Sequence, residues 1–251
     1  MIMLNNFIIV KYGGRRLKTM RMFPQTVFAE MTRFADHAGN WYMNDKKDCY
    51  MVRNKTKIEF GKADNLIGIV IMTNPGSYGL DRIVGWKDFK RGNGKTEILK
   101  GEGFPDPTMQ NVISVILSAY ERKQISMPNG FIDVLNISSV VCANGENVLD
   151  YHEVVKKLIR KHNLDPSCLE DIRVHGRSKL SNIFEESPFV ILGFVQKVFD
   201  EKVKEIMKLS SDFPNKAVVA KDKNNWPTHP YRWRADKWLK EEAISELVKV
   251  I

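Results

Sequence analysis

Four short stretches place chemically useful side chains where an apolar run stops or a helix begins. Asn74-Pro75-Gly76 follows the apolar run Leu66–Met72, and Asp106-Pro107-Thr108 precedes residues at helical spacing. Asn136 lies in the run Phe131–Ile137, and His229-Pro230 opens the basic, aromatic loop Tyr231-Arg232-Trp233-Arg234. An asparagine amide can hold a water by hydrogen bonding but cannot take its proton, which a carboxylate can. The candidate carboxylates are Asp106 and Asp133. Each stretch also has a plainer reading. Asn-Pro-Gly is a turn signal, Asp106 a natural helix cap, and Asn136 and Asp133 candidates for satisfied structural sites. Trp233 is equally suited to anchoring a last helix.

These residues need a scaffold that brings strand ends together, and the hydrophobic pattern supplies one. Leu66–Met72 is a continuous apolar run, as expected of a strand buried on both faces. Strands are also expected at Phe131–Ile137, Phe189–Gly193 and Ala217–Ala220. Helices are expected from Asp106 or Pro107, over Asp150–His162, from Gly193 through about Leu209, and at the C-terminus. Strands alternating with helices imply a three-layer α/β/α domain with a mainly parallel central sheet. Ligands of such sheets gather at the carboxyl ends of the strands. The first 65 residues read as an N-terminal extension packed on an α/β domain spanning 66–251, with Phe28–Ala35 open to a helical reading and Gly39–Phe60 reading as short strands or loops.

Composition narrows the partners. The 251 residues carry 39 basic and 30 acidic side chains, for a net charge of +9. A surplus of that size favours a polyanion, nucleic acid first. It is clustered: Lys11, Arg15, Arg16, Lys18 and Arg21; Arg173, Arg177 and Lys179 around His175; Arg232 and Arg234 near Lys237 and Lys240. No apolar run reaches the ~18 to 20 residues of a membrane span, and Met1–Val10 does not read as a signal peptide. Three scattered cysteines, Cys49, Cys142 and Cys168, suit neither a disulfide framework nor a four-thiolate metal site. A cytoplasmic protein with no metal, no cofactor and no obligate protein partner is expected.

Taken in order, the motifs resemble those of the uracil-DNA glycosylase superfamily. Thr73-Asn74-Pro75-Gly76-Ser77-Tyr78-Gly79 is similar to its water-activating loop in the Asn-Pro-Gly form of the mismatch-specific branch. Pro105-Asp106-Pro107-Thr108-Met109-Gln110-Asn111 resembles its Pro-Pro-Ser helix start, and Val134-Leu135-Asn136 its Leu-Leu-Asn strand. Val190 to Lys197 resembles its apolar strand followed by Gly and Gln, and His229-Pro230-Tyr231 its His-Pro-Ser loop. The sequence also looks like a little-characterised bacterial family with Asn-Pro, Asp-Pro-Thr and His-Pro motifs. The matches span Leu66 to about Lys240.

The resemblance implies a monofunctional DNA glycosylase that hydrolyses the N-glycosidic bond of a base flipped out of a duplex. Asn74 would orient the water, Asn136 would read the base edge, and His229 would donate to the oxygen that gains charge. Tyr78 and Phe104 are the expected stacking or gating aromatics, although Phe104 lies nearer the helix start than the family's stacking Phe. Arg232, Arg234, Arg177 and Lys179 are expected to grip phosphates, with Trp233 as the wedge that fills the gap left by the extruded nucleotide. Asn74 stands where the most active uracil-removing branch has aspartate, so removal of plain uracil should be slow. The small Gly76, Ser77 and Gly79 leave room for a modified or damaged base, such as modified cytosine in phage DNA, with anti-phage defence as the setting. The alternatives are a non-catalytic DNA-binding protein on the same fold, a mismatch-type uracil or thymine repair glycosylase, and an enzyme acting on free nucleosides or nucleotides.

Overall fold

The computed structural model describes residues 3–4, 7–8, 25–76 and 78–251. The basic cluster Lys11 to Arg21, most of Met1–Val10 and the loop residue Ser77 lie outside the described residues. Strands β1 (Met3–Leu4) and β2 (Phe7–Ile8) pair with each other. The main body then runs β3 (Thr26–Arg33), β4 (Met51–Glu59), β5 (Leu66–Met72), α1 (Trp86–Lys90), β6 (Ile98–Gly103), α2 (Pro107–Lys123), β7 (Phe131–Asn136) and α3 (Val148–Lys161). It continues through α4 (Ile172–His175), α5 (Arg177–Glu186), β8 (Val190–Gly193), α6 (Asp200–Ser210), β9 (Ala217–Val218) and α7 (Lys237–Val250).

Seven strands form one sheet in the order β6-β3-β4-β7-β5-β8-β9. The expectation of a mainly parallel sheet is corrected here. The pairings β7–β5, β5–β8 and β8–β9 are parallel, but β6–β3, β3–β4 and β4–β7 are antiparallel and together join more residues than the parallel ladders do. The antiparallel half comes from β3, β4 and β6. Two of these strands belong to the segment read as an extension packed on the domain; instead they lie within the same sheet as β5. Phe28–Ala35 is not helical, because β3 alternates buried and partly exposed residues at strand period.

Helices cover both faces, compatible with a three-layer α/β/α arrangement. Val70, Met72, Ile132, Val134 and Ile191 share a core with Val112, Ile116, Leu239 and Leu247 of α2 and α7. The alternate residues Ile69, Ile71, Leu135, Val190 and Leu192 pack against Val174, Leu180, Phe184 and Ile206 of α4, α5 and α6. Burial on both faces is why β5 and β8 read as unbroken apolar runs. Among the described residues, no helix is long and apolar enough to cross a membrane.

Candidate functional site

Parallel register sets the site. Met72 of β5 is opposite both Asn136 of β7 and Gly193 of β8, so the three strands end at one level. The chain leaving β5 is held there: the Thr73 Oγ1 accepts from Val195 N at 2.8 Å, and its carbonyl accepts from Ser138 N at 2.9 Å. A cleft of about 1030 Å³ opens above these ends. Asn74 and Gly76 from the β5 loop, Asp106 to Thr108 at the start of α2, and Val195 and Gln196 after β8 line it. His229, Tyr231 and Arg232 complete the wall with Asp236 and Trp238 at the start of α7.

Asn74 is buried, and its Nδ2 donates to the carbonyls of Pro75 (2.8 Å) and Cys142 (2.9 Å). With both amide hydrogens engaged, Oδ1 is what Asn74 can offer the cleft, an acceptor for a water or a ligand donor. Asp106 caps α2, its Oδ1 accepting from Met109 N at 2.9 Å, with Pro107 in the first turn where a missing N–H costs little. Its Oδ2 lies 3.5 Å from where a Cβ on Gly76 would stand, so one carboxylate both caps the helix and edges the cleft.

His229 caps the 3-10 turn Pro230–Arg234, its Nδ1 accepting from Tyr231 N at 3.3 Å. That bond leaves the proton on Nε2. Burial pulls the imidazole down to about 4, so His229 is a neutral donor at pH 7. Two contacts hold its loop. Asn111 of α2 donates from Nδ2 to Pro230 O at 2.9 Å, and Gly193 lets the loop press on the end of β8. A Cβ on Gly193 would meet Pro230 Cδ at 2.6 Å and Thr228 O at 2.9 Å.

Several expected residues lie elsewhere. Trp233 is 1% exposed, with Nε1 donating to Thr228 Oγ1 at 3.0 Å, so it anchors the turn in the core and cannot serve as a wedge. Asp133 is ion-paired with Arg173 at 2.7 Å and is not a cleft carboxylate. Phe104 is exposed beside the Arg82 guanidinium, 4.2 Å from its ring, and does not line the cleft. Tyr78 is buried, donating to Val27 O, and lines a smaller neighbouring cavity of about 260 Å³. Burial pushes its phenol far above the usual range. Asn136 is buried beneath the strand ends rather than lining the cleft, its Oδ1 without a partner among the described residues. Arg177 and Lys179 are exposed on α5 away from the cleft lining, and Arg234 is exposed on the 3-10 turn.

Arg232 does line the cleft, but its NH1 is paired with Asp222 Oδ2 at 2.9 Å, which also accepts from Gln196 Nε2 at 3.1 Å. Sequence reasoning missed Asp222, Trp238 and the Cys142 carbonyl. None carries a local signal: Asp222 sits in a polar turn, Trp238 reads as one more helix residue, and a backbone carbonyl has no sequence signature. Among the described residues, no group of three or more His, Cys, Asp or Glu is arranged to hold a metal ion. Comparison with protein-family profiles, curated proteins and solved structures found no match.

Proposed function

We propose that the chain is a monofunctional DNA glycosylase of the uracil-DNA glycosylase type that removes a flipped, modified base. The carrying observation is that Asn74, with only its Oδ1 left to offer, and His229, a neutral Nε2–H donor, line one cleft at the carboxyl ends of parallel strands. In this reading a water held by Asn74 Oδ1 adds its oxygen to C1′ of the sugar. The N-glycosidic bond breaks, and its electron pair leaves with the base. His229 Nε2–H donates to the base oxygen on which that charge collects, as a preorganised neutral donor does best in a water-poor site. The water's proton passes to the Asp106 carboxylate, which Asn74 could not replace as a base. The products are a free base and an abasic sugar.

The size of the cleft supports an enlarged base. At about 1030 Å³ it stands at the top of the ~300–1,000 Å³ range of small-molecule pockets, and Gly76 puts no side chain into it. A modified cytosine of phage DNA, in a defence role, is a base of this kind. The test is release of free base, read by mass spectrometry, from duplexes carrying uracil, thymine mismatches, or hydroxymethylated or glucosylated cytosine. Release from a modified cytosine, abolished in Asn74→Ala and His229→Ala, is the expected result. Release from uracil or thymine mismatches alone would make the chain a repair enzyme. Tight, salt-sensitive binding without release from any duplex would make it a non-catalytic binder.

A further inference from the structure

With Trp233 in the core, two other aromatics occupy the surface of this corner. Tyr231 is 58% exposed and Trp238 is 61% exposed. Both line the cleft, and both also line a shallower groove of about 690 Å³. The two cavities share Tyr231, Arg232, Asp236 and Trp238, so the groove continues from the cleft mouth along the start of α7.

The charges around the groove suit a polyanion. Lys237 lines it, Lys223 lines the adjoining cleft, and Arg234 is exposed on the same turn, while Arg232 also lines it but is paired with Asp222. The nearby carboxylates are committed within the protein. Asp222 pairs with Arg232, and Asp236 Oδ1 accepts from the first amides of α7, Trp238 N at 3.0 Å and Leu239 N at 3.2 Å. Aromatic faces interleaved with cations bind single-stranded nucleic acid with little regard to sequence, because every base presents a π-face.

We propose that Tyr231 and Trp238 form a stacking platform for the nucleotides next to the one whose base enters the cleft. The ligand of this site is then a strand of several nucleotides rather than a free nucleoside. The identity of the base in the cleft rests on the glycosylase reading; the platform has its own readout.

That readout is fluorescence anisotropy of a labelled single-stranded oligothymidylate of about a dozen residues, with thymidine monophosphate as competitor. Stacking contributes ~1–3 kcal/mol per base, so Tyr231→Ala and Trp238→Ala should each weaken binding roughly 5- to 150-fold. Tyr231→Phe and Trp238→Phe should retain most of it, and the monophosphate should compete poorly. Wild-type affinity in the double alanine variant, or equal losses in the phenylalanine variants, would overturn the platform. Base release is scored separately on duplexes. If the wild type releases no base while the double variant loses the strand, the glycosylase reading falls and the platform stands. If the wild type releases base and the double variant binds the strand unchanged, the reverse holds.

Discussion

Replacing Gly193 with alanine tests whether the seam between β8 and the His229 loop sets the chemistry. The new Cβ would stand 2.6 Å from Pro230 Cδ and 2.9 Å from Thr228 O, where ordinary contact begins at 3.4 Å. The Pro230 ring must therefore retreat by about 0.8 Å, a displacement at which misplaced catalytic groups lose on the order of a hundredfold in rate. His229 precedes Pro230 and moves with it, while Asn111 resists from the other side. Overpacking of this kind destabilises by ~1–3 kcal/mol, at about 2–4 °C of melting temperature per kcal/mol for a chain this size. Gly193→Ala should thus melt a few degrees lower and stay folded at 25 °C and, if the chain is the glycosylase proposed above, lower kcat for base release by about two orders of magnitude. Wild-type kcat in a folded Gly193→Ala protein would refute the idea that this seam places His229.

Three further outcomes are expected. Asp106→Asn keeps a good cap on α2, so unfolding in urea should change little, while base release should fall by ~10²- to 10⁴-fold if the carboxylate takes the water's proton. His229 titrates at about 4 in the folded chain against 6.5 for an unperturbed imidazole. The unfolded chain therefore binds the extra proton first, and stability that is complete above about pH 6.5 is lost as pH falls toward 4. Stability measured across that range should depend less on pH in His229→Gln, and an imidazole titrating near 6.5 by NMR would contradict the burial of the site. Finally, Gly76→Phe should fill the cleft and suppress release of bulky bases while sparing small ones, measured as a ratio of kcat/KM values.

The parts of the fold fixed by local chemistry were legible in the residues. The strand at Leu66–Met72 coincides with β5, and Asp106-Pro107 starts α2, because two-sided burial and helix capping are written in short stretches. The N-terminal strands were obscured because their buried faces carry arginines. Arg33 lies in the inward row of β3 with Val27, Ala29 and Met31, its guanidinium 3.7 Å from the Trp41 ring centroid and donating to the carbonyls of Phe89, Asn93, Gly94 and Thr96. Arg53 is also buried in β4, 5.0 Å from the Tyr78 ring centroid, but its Nε and Nη1 have no hydrogen-bond partner among the described residues. Those partners are remote in the chain, so no local pattern announces that an arginine faces inward.

By itself the sequence determined the parallel strands β5, β7 and β8 and the capped start of α2, and that Asn74, Asp106 and His229 stand at element ends; α4 and α5 went unread, and α6 begins at Asp200 rather than directly after Gly193. Tertiary structure alone decided that β3, β4 and β6 extend the sheet antiparallel, and which candidates meet in one cleft. It also decided that Asp133 is neutralised by Arg173, that Trp233 faces the core while Tyr231 and Trp238 face solvent, and that His229 is a neutral donor. The physical reason is the range of the forces involved. Caps and hydrophobic periods act over a few residues, whereas burial, ion pairing and a shifted pKa depend on neighbours that only the folded chain supplies.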